Sequence, residues 1–83
     1  MNISSIYLKA FYQLAQDKSF TKSANKLAIT QSAFSHRILN LEAELEATLF
    51  IRERQNVRLT EVGESLLRYC EKLSHLEEEF LSS

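Results

Sequence analysis

Six apolar residues near the C-terminal end of the chain follow one another at intervals of four, three, four, three and four positions. They are Val62, Leu66, Tyr69, Leu73, Leu76 and Phe80. This is the spacing of a heptad seam, along which one helix packs against another. With one Gly and no Pro in 83 residues, the chain has few residues that break helices. The spacing therefore predicts a long amphipathic helix that Thr60 caps and that runs to about Leu81.

A second apolar stripe, formed by Leu67, Cys70 and Leu81, flanks the seam on the same helix. Two stripes predict that one face packs on the body of the domain and the other on a second copy of the chain. The alternative is that both stripes pack within one domain. We favour a homodimer, because the seam is too extended for one small domain to cover. Gly63 falls in the first turn of this helix, where a glycine costs less than in mid-helix.

The remaining residues predict three helices and a short hairpin. Tyr7, Ala10, Phe11, Leu14 and Ala15 form one face of a helix over about Ser4 to Gln16. A short helix over about Lys22 to Leu27 follows, capped by Ser19 or Thr21. Thr30 then opens a longer helix that buries Phe34, Ile38, Leu41 and Leu45 and presents Ser32, Ser35, His36, Asn40 and Glu44 on its other face. The β-prone segments Leu49 to Ile51 and Val57 to Leu59 predict two strands joined by a polar turn.

This order of elements predicts a mainly α fold: a winged helix-turn-helix with a three-helix core and a two-stranded wing, followed by a long dimerisation helix. The predicted division is a DNA-binding domain over residues 1–59 and a linker (dimerisation) helix over residues 60–83. In a helix-turn-helix the second helix enters the major groove with its N-terminal residues on the base edges. The candidate DNA-binding residues are Thr21, Thr30, Gln31, Ser32, Ser35, His36, Arg37, Arg52 and Arg54.

Each candidate has a chemical reason. Gln31 can pair bidentately with adenine, and Ser or Thr hydroxyls can bond several base edges. The helix N-termini at Thr21 and Thr30 can bind phosphates. Arg54 lies near the tip of the predicted wing. Arg52 can contact DNA there or anchor the wing by an internal ion pair.

The net charge of −1 hides an asymmetry. Residues 1–59 hold eight basic and five acidic side chains, a net charge of +3, whereas residues 60–83 hold two basic and six acidic ones, a net charge of −4. A basic body favours nucleic acid as the partner, and an acidic helix favours contact with protein. The alternative to DNA binding is therefore a protein-interaction module that forms mixed dimers with a longer regulator.

Other classes of protein find little support in the sequence. No apolar run approaches the ~20 residues of a membrane span, and no signal peptide is visible, so we expect a cytoplasmic protein that does not bind membranes. The single cysteine excludes an internal disulfide. We expect no enzyme, cofactor or metal site, since there is no activated nucleophile, phosphate-cradling Gly loop or metal-ligand spacing.

The ordered motifs of the chain resemble the N-terminal winged helix-turn-helix of the LysR-type transcriptional regulators, over about residues 3 to 81. The motifs are Leu8-x-x-Phe11, Ser19-Phe20-Thr21-Lys22-Ser23-Ala24, Leu27-x-x-Thr30-Gln31-Ser32-Ala33-Phe34-Ser35, Ile38-x-x-Leu41-Glu42, Leu45-x-x-x-Leu49-Phe50-x-Arg52 and Val57-x-Leu59-Thr60-x-x-Gly63. The resemblance implies binding to an interrupted palindrome in double-stranded promoter DNA, as a dimer whose linker helices pair antiparallel.

The chain departs from this family at a few positions. Ser32 stands where the family usually has Pro, Ser23 where it has Ala, and Lys18 and Glu46 where it has Gly. The family also carries a C-terminal domain that binds a small-molecule effector. The resemblance therefore implies that these 83 residues are the DNA-binding part of a longer regulator, a naturally short relative being the alternative.

Overall fold

The computed structural model describes residues 4–54 and 56–82. Within these residues it has four helices and one two-stranded antiparallel sheet: α1 (Ser5–Asp17), α2 (Phe20–Lys26), α3 (Gln31–Leu45), β1 (Phe50–Glu53), β2 (Asn56–Leu59) and α4 (Glu61–Ser82). The predicted fold is confirmed: a three-helix core, a wing formed by β1 and β2, and a long last helix. Each helix boundary lies within two residues of its predicted position.

Three hydroxyl side chains start three of the helices. The backbone N–H of Lys22 donates to Ser19 Oγ at 3.2 Å, that of Ala33 to Thr30 Oγ1 at 3.1 Å, and that of Gly63 to Thr60 Oγ1 at 3.0 Å. Each bond satisfies an N–H group of a first turn that has no partner within its helix. Of the two residues predicted to cap α2, Ser19 is therefore the cap.

Two of the helices end in a left-handed residue that is not glycine. Lys18 follows α1 with φ 52°, and Glu46 follows α3 with φ 52°. These are the positions where the resemblance would place Gly, so the turns keep their shape and the chain carries the strain, about 1–2 kcal/mol at each residue. Ala28, in the turn between α2 and α3, is a third left-handed residue at φ 57°, which the sequence analysis missed.

The core lies between α1, α2, α3 and the start of the wing. Its most buried side chains are Phe11, Leu14, Phe34, Ile38, Leu41 and Leu49. The ring of Phe11 packs on Phe50 with centroids 5.3 Å apart, and Phe20 meets Phe34 edge to face at 5.8 Å. Because α3 buries Phe34, Ile38 and Leu41 here, its opposite face is turned to solvent.

The wing is a tight hairpin whose strands are longer than predicted. Arg52 pairs with Val57 and Glu53 with Asn56, so residues we had placed in the turn belong to the ladder. The hairpin is tied to α3 through Glu42, whose carboxylate accepts from the backbone N–H groups of Leu49 at 2.7 Å and Phe50 at 3.4 Å.

The first turn of α4 lies against the segment that leads into β1. Thr60 donates its backbone N–H to the Leu49 carbonyl at 2.9 Å and its hydroxyl to the Thr48 carbonyl at 2.6 Å. A Cβ atom on Gly63 would lie 2.3 Å from the Leu49 carbonyl oxygen. Only glycine fits there, so Gly63 is required for this close approach and is not merely tolerated in the first turn.

The rest of α4 leaves the body. Cys70 is buried, and Leu66 and Leu67 pack against the core. Leu81 is 81% exposed, so the predicted flanking stripe is wrong at that end. In the part of the chain that the structure describes, no helix is long and apolar enough to cross a membrane.

Candidate nucleic-acid interface

The solvent-facing side of α3 carries most of the predicted DNA-binding residues of that helix. Gln31, Ser32 and His36 are exposed, whereas Ser35 and Arg37 are half-buried at the flanks of this face. The core residues on the other side of the helix hold it in this orientation. The N-terminal half of α3 therefore presents hydroxyl, amide and imidazole groups outward, which suits hydrogen bonding to base edges.

The side chain of Gln31 is held by α2. Thr21 Oγ1 donates to Gln31 Oε1 at 3.2 Å, which joins the first turns of α2 and α3. Bidentate pairing with adenine needs both the amide oxygen and the amide nitrogen. The bond from Thr21 uses one of the two lone pairs of the amide oxygen, so the oxygen and the amide nitrogen can still pair together with a base edge. The contact thus orients the Gln31 amide without excluding the predicted bidentate pairing.

Thr30, another predicted contact, uses its hydroxyl oxygen as the α3 cap. Its neighbouring backbone N–H groups lie at the positive end of the helix dipole, where an anion is favoured. Its predicted role at a phosphate is therefore compatible with the cap, since the backbone and not the hydroxyl would make the contact.

Arg52 lies on the wing with its guanidinium carbon 4.2 Å from the centre of the Phe20 ring. Within the described residues its internal contact is this stacking and not the ion pair that we had considered. Stacking uses the flat face of the guanidinium and leaves its N–H edge for other partners. The contact also fixes the wing against the start of α2, about 0.5–1 kcal/mol at an exposed site.

A cleft lies between the start of α2, the start of α3 and the wing. Among its lining residues are the basic side chains Lys18, Arg52 and Arg54 together with Thr21 and Gln31, and the acidic Glu53 lines it as well. Arg54 is exposed at the turn of the wing, as predicted. Three basic side chains face one carboxylate, so the cleft keeps an excess of positive charge that suits an anion of phosphate size.

The guanidinium of Arg58 pairs with Glu53, the acidic residue of the cleft lining. Glu53 and Arg58 are diagonal neighbours across the two strands, the arrangement in which opposite charges support a hairpin. This pairing leaves Arg52 and Arg54 as the wing arginines that line the cleft.

Asp17, at the end of α1, was not among the residues predicted to matter for the site. Its carboxylate accepts from Lys26 Nζ at 2.7 Å, Gln13 Nε2 at 2.8 Å and Ser23 Oγ at 3.0 Å, and its side chain is only 6% exposed. The Lys26 ammonium, followed by the Gln13 amide, holds the pKa of this carboxyl below its usual value of 3.8. Asp17 therefore ties α1 to α2 and positions the helix-turn-helix. An acidic residue in the last turn of a helix interacts unfavourably with the helix dipole. This unusual position is the sequence feature that could have drawn attention to Asp17.

The exposed side of α4 carries the predicted dimerisation seam. Val62, Tyr69, Leu73 and Leu76 are between 39% and 60% exposed, and Phe80 is more exposed still. Leu66, the remaining member, is half-buried against the core. The apolar side chains thus line one face of α4 beyond the body of the domain.

Residues 7–64 match the family model described as "Bacterial regulatory helix-turn-helix protein, lysR family". The match covers most of α1, all of α2, α3 and the wing, and the first turn of α4. The chain belongs to the LysR family of bacterial regulators. This family is one of DNA-binding regulators and not a class of enzymes.

Relatives with known names support the same assignment. The LysR-type chain is 48% identical over 66 residues to the HTH-type transcriptional regulator HdfR of Yersinia enterocolitica, a match that covers 80% of this chain and 22% of that protein. It is 47% identical over 66 residues to HdfR of Escherichia coli, covering 24% of that protein. The chain thus spans about a quarter of the length of these curated relatives.

Solved structures of LysR-type regulators share the fold. The DNA-binding domain of BenM in complex with benA site 1 DNA has a TM-score of 0.86 and 34% identity, covering 96% of this chain and 93% of that one. DarR of Vibrio fischeri in complex with DNA has a TM-score of 0.84 and 34% identity, covering 99% of this chain and 28% of that one. The LysR-type fold of this chain is therefore one found bound to DNA in its relatives.

Proposed function

We propose that this LysR-type domain reads an interrupted palindrome in promoter DNA as a homodimer. The observation that carries the proposal is the position of the basic cleft, which adjoins the solvent-facing N-terminal half of α3. One element offers hydrogen bonds to bases while the cleft beside it offers positive charge to the backbone. The BenM and DarR structures, both complexes with DNA, support the choice of partner.

The predicted contacts take different roles in this proposal. Gln31, Ser32, Ser35 and His36 face the base edges, and Thr21, Thr30 and Arg37 lie against the phosphates that flank them. Arg52 and Arg54 hold the adjacent backbone from the wing. Phosphate contacts set the register of the protein on the duplex, whereas the base contacts select the sequence.

The dimer in this proposal forms through α4. Residues 1–59 serve as the DNA-binding domain and residues 60–83 as the linker (dimerisation) helix. The exposed side chains of Val62, Tyr69, Leu73 and Leu76, with Phe80 beyond them, lie on one face at heptad spacing. Pairing with a second α4 would bury this face. Removal of apolar surface from water stabilises such a contact by roughly 25 cal/mol per Å².

Two further parts of the proposal follow from the relatives. The family resemblance implies a C-terminal domain that binds a small-molecule effector, and HdfR, of which the match covers 22%, is long enough to carry one, so we place effector binding there. Because promoter DNA in bacteria lies in the cytoplasm, we place the protein there as well.

Salt-dependent binding to a selected DNA site tests the proposal. The preferred duplex is first selected from a random library, and its Kd is then measured between 50 and about 200 mM salt. We expect the Kd to tighten steeply as salt falls, because phosphate contacts release bound counterions. Arg54→Ala should weaken binding to all sequences and flatten the slope. Arg68→Ala, which removes an exposed arginine on α4, serves as the matched control.

Binding without site preference or salt dependence would overturn the proposal. A chain that captured a longer LysR-type regulator but no DNA would support the mixed-dimer alternative instead. The feature that favours mixed dimers is α4, because its acidic and apolar side chains suit contact with another protein.

A further inference from the structure

Leu39 is a large apolar side chain on the outer face of α3. It is 52% exposed, although it lies in the middle of the helix that packs on the core through Phe34, Ile38 and Leu41. A single exposed leucine is ordinary on a protein surface. What distinguishes Leu39 is its position relative to the DNA-facing residues.

Ser32, His36 and Leu39 are spaced by four and three residues, so they form one stripe along α3. All three are exposed. At 1.5 Å per residue, Leu39 lies about 10 Å along the helix from Ser32, a distance comparable to about three base-pair steps. If the axis of α3 runs along the major groove, a helix that places Ser32 and His36 on base edges also places Leu39 in that groove.

The charges along α3 mark where the DNA-facing segment ends. Residues 31–40 include Arg37 and no acidic residue, whereas residues 41–46 include Glu42, Glu44 and Glu46. Leu39 is thus the last large side chain of the stripe before the acidic segment. It lies at the edge of the surface that an anionic duplex can approach closely.

We propose that Leu39 reads the 5-methyl group of a thymine in the major groove. That methyl is the apolar group that the major-groove edge of a base pair presents, and apolar side chains are its natural partners. Contact with it would bury Leu39 and add an apolar base preference to the hydrogen-bond readout of Gln31 and Ser35. This inference rests on the proposed DNA-binding function.

Removal of single methyl groups from the DNA tests the assignment. In the duplex selected from the random library, each thymine is replaced in turn by uracil, in one half-site at a time. This change removes the methyl and keeps every hydrogen-bonding group. The Kd of the 83-residue chain for each duplex is measured by fluorescence anisotropy, for the wild type, Leu39→Ala and Ile6→Ala. Ile6 is the matched control, since it is 51% exposed but lies on α1.

We expect one thymine in each half-site whose replacement by uracil weakens wild-type binding about fourfold, the value of one buried methyl-sized group. Leu39→Ala should bind the thymine and uracil duplexes equally at that position. Ile6→Ala should keep the fourfold difference. Thermal melts by circular dichroism verify that both variants are folded, as expected for exposed positions.

Two outcomes would overturn the assignment while the proposed function stands. In one, the wild type binds the selected site but tolerates uracil at every thymine. In the other, Leu39→Ala weakens binding to the thymine and uracil duplexes by the same factor, which would mean that Leu39 does not contact the thymine methyl. If the library yields no preferred site at all, the proposed function fails and this inference fails with it.

Discussion

At the scale of single residues, a few side-chain hydrogen bonds hold the N-terminal end of α3. Thr30 caps the helix through the Ala33 N–H, and Thr21 fixes the amide of Gln31 from the neighbouring helix. A side chain fixed before binding loses less conformational entropy when it meets DNA. Gln31 is therefore the residue at which base preference should be most sensitive to substitution.

We predict that Gln31→Ala will cost about 1–3 kcal/mol of binding free energy and relax the preference at one base pair. The measurement is a set of Kd values for the selected duplex and for each of its single-base variants. Gln16→Ala, which removes an exposed glutamine from α1, is the control and should leave these values unchanged. A uniform loss across every duplex would mean that Gln31 contacts only the backbone.

Asp17 gives a prediction about pH. Its pKa is lowered in the folded state, mainly by Lys26, so its contribution to folding is present above the unfolded carboxyl pKa of about 3.9 and is lost as the pH falls through the lower folded value. We expect Asp17→Asn to be less stable than the wild type at pH 7, and the difference to shrink below about pH 4.

Urea denaturation of both proteins between pH 7 and about pH 2.5 measures that difference. Glu78→Gln, an exposed carboxyl on α4, is the control and should show no such trend. A stability difference that stays constant with pH would show that the ionised carboxylate of Asp17 is not what stabilises the contact between α1 and α2.

At the scale of elements, the turn after α3 stores backbone strain. Glu46 is left-handed at φ 52° and ψ 42°, and the N–H of Ala47 bonds back to the Glu42 carbonyl at 3.1 Å. Glycine adopts this conformation without the cost that a Cβ atom imposes. The turn is therefore a place where a single substitution can raise stability.

We predict that Glu46→Gly will stabilise the fold by about 1 kcal/mol. Glu44→Gly is the matched control: it makes the same substitution at an exposed position inside α3 and should destabilise by about 1 kcal/mol. Thermal or urea unfolding measures both changes. If both variants lose stability equally, the left-handed turn carries no strain that glycine relieves.

The elements that could be predicted from the sequence depend on neighbours close in the chain. Helix spans follow from apolar periodicity, and the caps Thr30 and Thr60 follow from local hydroxyl chemistry. Glu42 was missed because nothing local marks a carboxylate that accepts from the backbone of Leu49 and Phe50. Asp17 was missed because two of its three partners, Lys26 and Ser23, lie in another helix. The left-handed Ala28 was missed because alanine gives no signal of positive φ.

Among the candidate site residues, Gln31, Ser32 and His36 were predicted to be exposed on α3 because the core stripe fixes the opposite face. The stacking of Arg52 on Phe20 and the bond from Thr21 to Gln31 could not be predicted, since both depend on how separate elements approach each other. Leu39 was overlooked because a leucine on a helix is first assigned to the core.

At the scale of the whole molecule, a basic body of net charge +3 carries an acidic helix of net charge −4. The molecule is elongated, with extents of 44 × 27 × 21 Å, and the residues of α4 beyond Cys70 are exposed. The charge that attracts DNA is thus separated from the apolar face that would pair with a second copy.

We predict that Leu73→Glu will shift the dimer to monomer, because a buried carboxylate without a partner is costly in an apolar interface. Sedimentation velocity over a range of concentrations measures the change. His75→Glu adds a negative charge on a different face of α4 and should leave the dimer intact. Unchanged sedimentation of Leu73→Glu would contradict the assignment of the seam.

The contact between Gly63 and the Leu49 carbonyl has a consequence for the DNA site. In a dimer paired through α4, the angle at which this helix leaves the body sets the separation of the two α3 helices. That separation has to match the spacing of two half-sites along the duplex. In the proposed dimer, the missing side chain at this glycine, with the Thr60 bonds beside it, would set the half-site spacing that the two domains can bind.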